Sequence, residues 1–327
     1  MSYMARTDIA LEARDLYIEA SNIEGEIDGV EVDVSTPLEN TTVSRVKIVS
    51  EKGASALNKP EGNYITIDIP PEIYGEQTVY EEVCKIVAKE LMAIIPKRDD
   101  ETVLVVGLGN RNVTPDALGP AVIDSLLVTR HLIRYIPREI DERLRPLCAI
   151  APGVLGITGI ETGEIVKGIC EKVKPSLLIV IDALCSRSMR RINTTIQISD
   201  TGITPGAGIG NNRMAINEEN LGIPVIAIGV PTVVDAATIT GDSIDFLIGD
   251  LKENAKENEP LYKMLTTISA EDKYALIKQT LSDNIGDFIV TPKEIDKVIE
   301  DISSVIANGI NISVHKGIKL SDIDRYK

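Results

Sequence analysis

Three aspartates lie close behind apolar runs of the sequence, where the strands of a sheet would end. Asp116 follows the run at 102–109, within the stretch GLGNRNVTPDALGP. Asp182 comes directly after the run at 177–181, and Asp235 follows a third run. Because ligands of open α/β sheets bind beyond the carboxyl ends of the strands, we expect Asp116 and Asp182 to share a cleft, with Asp235 as an accessory group.

Two carboxylates in one cleft are suited to amide hydrolysis without a covalent intermediate. Their mutual repulsion raises the pKa of one group and leaves the other ionised. The ionised carboxylate then activates water, while the protonated one polarises the scissile carbonyl. This chemistry needs no histidine, which suits a chain with only two, His131 and His315. The alternative for each aspartate taken singly is a structural role at a helix N-terminus, where Asp is favoured.

Other chemistries remain open at the same residues. Asp116 and Asp182 could instead be ligands in a metal-dependent hydrolase, although no histidine closely follows the third apolar run. Cys185 and the serines of IDALCSRS could act as nucleophiles, but no GxSxG elbow surrounds them. We therefore expect a carboxylate pair as the reacting groups, with no metal and no cofactor.

Three glycine-containing stretches match known motifs only in part. The segment GLGN opens like a dinucleotide-binding loop, but Asn112 stands where that motif has its third glycine. SDTG at 199–202 contains the Asp-Thr-Gly of pepsin-like proteases, whose all-β fold uses two such loops. PGAGIGN at 205–211 lacks the GK[ST] ending of a P-loop. This last stretch predicts a substrate-contacting loop, with Gly206 and Gly208 as accessory residues.

Composition excludes some classes of partner. Of the 327 residues, 43% are apolar, as in globular proteins, and only 3% are aromatic, which disfavours stacking on single-stranded nucleic acid. The formal net charge of −16 repels phosphate backbones and attracts basic proteins. A non-catalytic protein that binds a basic partner is therefore a further hypothesis. The sequence shows no signal peptide or membrane-spanning run, which predicts a cytoplasmic protein with reduced cysteines.

The elements between about 100 and 250 must position the aspartates. Apolar, strand-like runs alternate with helical stretches there, at 102–109, 147–150, 177–181 and 224–230. Such alternation implies right-handed crossovers. The region is predicted to be an α/β fold with a mostly parallel sheet flanked by helices.

Further elements precede and follow this core. Strands are predicted at 42–49 and 64–69, the second because YITIDI alternates as a half-buried strand does. Thr291 and Glu294 form a capping-box pattern ahead of an amphipathic C-terminal helix. Gly309 is predicted to end that helix.

Long sequence matches in fixed order indicate a family. The stretches LVVGLGNRNVTPDALGP, IAPGVLGITGIETGEI, LLIVIDALCSRS, ISDTGITPGAGIGNNR and IPVIAIGVPTVVDAATI resemble the germination proteases of endospore-forming bacteria. The resemblance implies a fold like that of the hydrogenase-maturation proteases. It also implies a tetrameric endopeptidase of the spore core that begins the degradation of small acid-soluble spore proteins. The family's two functional aspartates correspond to Asp116 and Asp182.

The same resemblance implies synthesis as a zymogen that processes itself. The family's cut follows an acidic residue and precedes an apolar residue, a small residue, any residue and Glu. This pattern occurs here as DIALE, which predicts cleavage between Asp8 and Ile9. Residues 1–8 would then be the propeptide and residues 9–327 a single α/β protease domain.

Overall fold

The structure is a computed structural model that describes residues 7–21, 25–70, 73, 75–96, 101–136, 138, 140–206, 213–254, 270–284, 286 and 288–323. Within these residues a mixed β-sheet has helices on both faces, so the predicted α/β class is confirmed. None of the described helices combines the length and the apolar character needed to cross a membrane.

The strands of the described residues form a single sheet. In chain order they are β1 Val30–Leu38, β2 Thr41–Ile48, β3 Gly62–Asp68, β4 Val103–Gly107, β5 Leu147–Ile150, β6 Leu177–Ser186, β7 Thr195–Ser199, β8 Val225–Asp235 and β9 Ile289–Val290. Their spatial order is β1-β2-β3-β7-β8-β6-β4-β5, and β9 pairs with the far end of β8. Strands β8, β6, β4 and β5 are parallel, and the remaining pairings are antiparallel.

Helices connect and cover the strands. They are α1 Ala10–Ser21, α2 Glu51–Leu57, α3 Gln77–Ile94, α4 Leu118–Ser125, α5 Arg130–Tyr135, α6 Leu155–Thr158, α7 Thr162–Val173, α8 Glu218–Leu221, α9 Ala236–Asn254, α10 Ala270–Asn284, α11 Ile295–Val314 and α12 Leu320–Ile323. Two single turns of 3₁₀ helix, Thr114–Asp116 and Met189–Arg191, follow β4 and β6.

Alternate residues of the parallel strands face two separate cores. Val103 and Val105 of β4 face the core covered by α3, α4 and α11, while Leu104 and Val106 face the core covered by α7. All four side chains are at most 2% exposed. Burial on both faces explains the unbroken apolar runs of the sequence. Each such side chain contributes about 1.5–3 kcal/mol to folding.

The predicted strands at 42–49 and 64–69 are observed as β2 and β3, and they extend the sheet in an antiparallel manner. Only two residues separate β1 from β2, and so short a connection can join only antiparallel neighbours. The parallel part of the sheet is therefore confined to the region where strands alternate with helices in the sequence.

The predicted capping box of the C-terminal helix is wrong. Helix α11 begins at Ile295 with Glu294 as its N-cap. The hydroxyl of Thr291 instead donates a 2.9 Å hydrogen bond to the carbonyl oxygen of Thr232 in β8. Thr291 thus fastens the chain to the sheet one turn before the helix starts.

The predicted end of the same helix is also wrong. Helix α11 continues through Gly309 to Val314. A Cβ atom on Gly309 would lie 2.5 Å from Cγ1 of Val87 in α3. The glycine is therefore explained by the close packing of two helices and not by a left-handed cap.

Strands β6 and β8 run several residues beyond their apolar runs. They pair with each other past the end of β4, as far as the pair Ser186–Val234. Helix α9 accordingly begins only at Ala236, five residues beyond the pair Leu184–Pro231. As a result, Asp182 lies inside β6 and not behind it.

Candidate active site

Asp182 lies near the middle of the sheet, where β4 ends and β6 continues. The last pair between these strands is Gly107–Ile181, and the N–H of Leu108 still donates to the carbonyl oxygen of Ile181 at 2.8 Å. Asp182 therefore follows directly beyond the end of β4. Its Oδ1 accepts a 3.0 Å hydrogen bond from the N–H of Ala183, and only 8% of the residue is exposed.

Asp116 ends the 3₁₀ turn that folds over the end of β4. The N–H of Asn110 donates to Oδ2 of Asp116 at 2.9 Å. The hydroxyl of Thr232 anchors the turn to β8 through a 2.7 Å bond to the carbonyl oxygen of Pro115. Gly109 has a φ of +107°, and a Cβ there would lie 2.0 Å from the carbonyl oxygen of Asp116. Turn geometry and close packing thus explain this glycine of GLGN.

Asp116 and Asp182 line one cavity of about 420 Å³. Burial, and next the negative charge of Asp116, raise the pKa of Asp182 to about 8. Burial also raises the pKa of Asp116, while the N–H of Asn110 and the charge of Arg213 lower it. The two carboxyl groups thus lie in unequal surroundings, and the charge of Asp116 favours a proton on Asp182, an asymmetry that suits general acid and base roles.

The segment predicted to be cleaved enters this cavity. Asp8 lines it together with the two aspartates, and Oδ2 of Asp8 accepts a 3.2 Å hydrogen bond from the N–H of Cys185 in β6. Burial raises the pKa of Asp8, while the N–H of Cys185 and the charge of Lys59 lower it. Ile9 is fully buried, and α1 begins at the next residue. The Asp8–Ile9 bond therefore lies in a non-helical stretch directly ahead of a helix.

Two side chains that the sequence analysis missed contact the carbonyl oxygen of Asp8. Nε2 of Gln197 donates to it at 2.8 Å, and Nζ of Lys59 donates at 3.1 Å. Oε1 of Gln197 also accepts a 2.7 Å bond from the N–H of Ala10. Donors placed on a carbonyl oxygen polarise it and stabilise the negative charge that develops there during hydrolysis. No motif marks Gln197, which sits in an alternating strand, or Lys59, which follows α2.

Comparisons with known proteins converge on one family. The family model described as germination protease matches residues 10–270 and 253–327. A germination protease of Clostridium perfringens (strain SM101 / Type A) is 52% identical over 324 residues, covering 99% of each chain. This chain belongs to the germination protease family. It is therefore a protease with a role in spore germination.

The similarity extends along the whole of other germination proteases. The relative from Clostridium acetobutylicum is 49% identical over 98% of both chains. The relative from Geobacillus sp. (strain WCH70) is 42% identical, with 99% of this chain and 97% of the relative covered. Among solved structures, the NiFe hydrogenase maturation protease HycI from Thermococcus kodakarensis KOD1 matches 59% of this chain and 99% of its own, at 18% identity and a TM-score of 0.28. A score of that size supports no conclusion about this chain.

Three accessory residues were also predicted for the site of this germination protease, namely Asp235, Gly206 and Gly208. Oδ1 of Asp235 accepts a 2.7 Å bond from the N–H of Ala237 at the start of α9, and Asp235 is not among the residues that line the cavity. Gly206 lines the cavity. Gly208 lies outside the described residues.

The nucleophile and pepsin-like alternatives meet physical obstacles. Burial and the charges of Asp8 and Asp235 raise the pKa of Cys185 to about 11, so little reactive thiolate forms at neutral pH. Asp200 of the SDTG stretch accepts 2.8 Å and 2.6 Å bonds from the backbone and side chain of Asn63. It thus fastens the start of β3 and is not among the residues lining the cavity.

In the part of the chain that the structure describes, no group of three or more His, Cys, Asp or Glu side chains is placed to hold a metal ion. His131 is exposed on α5. His315 is buried at the end of α11, where its Nδ1 accepts a 3.1 Å bond from the N–H of Arg145. Neither histidine is among the residues that line the cavity.

Proposed function

We propose that this chain is made as a zymogen that cleaves itself between Asp8 and Ile9 and then acts as an aspartate-dependent endopeptidase on small acid-soluble spore proteins. The main support is that Asp8, which the family resemblance implies is the residue before the cut, lines the same cavity as Asp116 and Asp182. Membership of the germination protease family supports a peptidase with protein substrates.

In the proposed reaction Asp116 is the general base. A water molecule attacks the carbonyl carbon of Asp8 and loses a proton to the ionised carboxylate of Asp116. Negative charge develops on the carbonyl oxygen, which contacts Nε2 of Gln197 and Nζ of Lys59. These two donors take the polarising role that the sequence alone assigns to a protonated aspartate.

Asp182 is the general acid in this scheme. The tetrahedral intermediate breaks at its C–N bond, and the nitrogen of Ile9 takes the proton of Asp182 as it leaves. The products are the new α-carboxyl group of Asp8 and the new amino group of Ile9. One proton remains shared between Asp116 and Asp182, so the pair is ready for another cycle.

The same arrangement gives a reason for the zymogen. While Asp8 occupies the cavity, no substrate residue can take its place there. The segment is held firmly, because Ile9 and Ala10 are fully buried and Asp8 has hydrogen bonds from both β6 and β7. In this proposal residues 1–8 are the propeptide and residues 9–327 the protease domain.

The partners, oligomeric state and location proposed for the enzyme follow from its family and its charge. The formal net charge of −16 favours encounter with basic regions of protein substrates. The family resemblance implies a homotetramer of the spore core with no nucleic acid or membrane partner. Light scattering of the purified chain measures the oligomeric state.

A cleavage assay with a purified small acid-soluble spore protein tests the proposed function. We expect the processed wild-type enzyme to yield discrete fragments and Asp116→Asn to yield none. A chain that loses its N-terminal residues and binds the spore protein without cutting it would be a non-catalytic binding protein instead.

A further inference from the structure

The hydroxyl of Thr7 lies next to the bond proposed to be cut. Its Oγ1 accepts a 3.1 Å hydrogen bond from the N–H of Ile9, the nitrogen that would leave when the Asp8–Ile9 bond breaks. The same hydroxyl donates to Oε2 of Glu12. Because a hydroxyl has one proton and two lone pairs, the bond to Glu12 fixes the proton and leaves a lone pair for the N–H of Ile9.

The start of helix α1 does not account for this contact. The helix begins at Ala10, and the carbonyl oxygen of Ile9 accepts its first hydrogen bond, from the N–H of Ala13. Ile9 therefore stands at the N-cap position, which lies two residues after Thr7. The N–H of Ala10, in the first turn, donates to Gln197 of β7. The hydroxyl of Thr7 thus holds the nitrogen of Ile9 and not an N–H of the helix.

The peptide group proposed to be cut is held at both of its polar ends. Its oxygen, the carbonyl oxygen of Asp8, accepts from Nε2 of Gln197 at 2.8 Å and from Nζ of Lys59 at 3.1 Å. Its N–H donates to Thr7. Nζ of Lys59 also donates to the carbonyl oxygen of Thr7 at 3.3 Å, which fixes Thr7 itself. The donors on the oxygen come from the sheet and from the residues after α2, whereas the acceptor for the N–H comes from the segment that is cut.

We propose that Thr7 is a positioning residue for self-cleavage, and that its hydroxyl directs the leaving nitrogen toward the general acid. The inference rests on the proposed function, because it takes Asp8–Ile9 as the bond that breaks and Asp182 as the acid. When water adds to the carbonyl carbon, the nitrogen loses its conjugation and its lone pair becomes localised. The direction of the N–H then sets the direction of the lone pair. Thr7 holds the N–H, so the lone pair stays available for the proton of Asp182.

The contact with Thr7 also strengthens during the reaction. As the C–N bond breaks, its electron pair stays on the nitrogen of Ile9, which takes the proton of Asp182. The nitrogen becomes more positive as the proton arrives, and a more positive donor forms a stronger hydrogen bond. An acceptor in this place therefore stabilises the transition state more than it stabilises the starting peptide. The bond from Thr7 to Glu12 increases the effect, because a hydroxyl that donates is a better acceptor.

Substitutions of Thr7 in the full chain test the inference. Thr7→Val has nearly the same shape but no hydroxyl, and we expect the Ile9 terminus to appear roughly tenfold to 100-fold more slowly. Thr7→Ser keeps the hydroxyl and should process at close to the wild-type rate. Thr36→Val, at an exposed threonine of β1, is the matched control and should also process at the wild-type rate.

Paired peptides separate positioning from binding. Processed wild-type enzyme is given a peptide that copies residues 4–16, MARTDIALEARDL, and a second peptide with valine in place of Thr7. We expect kcat to fall by roughly tenfold to 100-fold for the valine peptide and KM to stay the same, because the hydroxyl acts in the transition state. A hydroxyl that only anchors the segment would change KM and leave kcat unchanged. The enzyme is identical in both reactions, so its folding does not affect the comparison.

The two measurements distinguish failure of the inference from failure of the proposed function. A wild-type processing rate in Thr7→Val, or a valine peptide that differs only in KM, would overturn the role of Thr7 and leave the protease intact. The proposed function itself is wrong if processed enzyme does not cut the threonine peptide. It is also wrong if Asp116→Asn forms the Ile9 terminus at the wild-type rate.

Discussion

The side-chain amide of Gln197 donates a 2.8 Å hydrogen bond to the carbonyl oxygen of Asp8. Its oxygen accepts a 2.7 Å bond from the N–H of Ala10. One side chain thus forms hydrogen bonds to the backbone on both sides of the bond proposed to be cut. The contact fixes the carbonyl and also supplies a donor where charge would develop during hydrolysis.

Gln197→Glu separates these two roles. A glutamate keeps an acceptor for the N–H of Ala10 but has no donor for the carbonyl oxygen of Asp8. We expect self-processing to slow by about 100-fold, as for loss of one oxyanion donor. The measurement is the rate at which the Ile9 N-terminus appears. Gln77→Glu, on the exposed side of α3, should process at the wild-type rate; an equal loss in both variants would argue against a role for Gln197.

Asp116→Asn and Asp182→Asn should each lose self-processing and spore-protein cleavage. Removal of a general base or acid slows such reactions by roughly 100-fold to 10,000-fold. The matched control is Asp235→Asn, because Asn can also cap α9 and Asp235 is not among the residues lining the cavity. Full activity in either of the first two variants would rule out the aspartate pair.

The melting temperature of Asp182→Asn shows whether this variant is folded and also tests whether Asp182 is protonated in the folded state. The folded-state pKa of Asp182 is raised from 3.8 to about 8, so the folded state holds this proton more tightly than the unfolded chain does. Stability is therefore lost as the pH rises from near 4 toward 8. Asp182→Asn removes this loss of stability. Its melting temperature should therefore be higher than that of wild type at pH 8, and the difference should shrink toward pH 4. A lower melting temperature at pH 8 would contradict the buried, protonated carboxyl.

The same raised pKa predicts how processing depends on pH. Asp182 must be protonated to donate, so the rate should fall about tenfold per pH unit above pH 8. Asp116 must be ionised to accept a proton, so the rate should also fall in acid, below the raised pKa of that group. Initial rates from pH 4 to 10 measure both limbs. A flat profile across this range would contradict a shared proton.

Asp116 and Asp182 could be selected from the sequence because both follow the apolar runs of buried parallel strands. The ends of neighbouring parallel strands meet at one edge of a sheet, so position along the strand predicts proximity without any knowledge of the loops. Asp235 fits the same rule and yet caps a helix, because β8 extends past its apolar run and carries the residue away from the cavity. The rule therefore identifies a small set of candidates and does not rank them.

Gln197 and Lys59 could not be selected in this way. Gln197 contacts Asp8 across 189 positions of sequence, through an antiparallel strand whose alternation is equally typical of structural positions. The place of Gly309 in the fold could not be predicted from the sequence either. A glycine in a helical pattern predicts a helix end, and only the packing of α3 against α11 shows that it lies inside the helix.

Metal removal separates the aspartate pair from a metal-dependent hydrolase. We expect the processing rate to stay unchanged after chelation, with removal of metal verified by elemental analysis. The reason is that a proton shared by Asp116 and Asp182 provides the acid and the base of the scheme. A loss of activity that a divalent cation restores would mean that the two carboxylates act as metal ligands.

Mass spectrometry of the N-terminus after incubation near neutral pH is the most direct test of the account. We expect wild type to lose residues 1–8 and to begin at Ile9, and Asp116→Asn under the same conditions to keep its full N-terminus. A new terminus at any other residue, or a cut after Asp8 that appears equally in Asp116→Asn, would contradict self-cleavage by the aspartate pair.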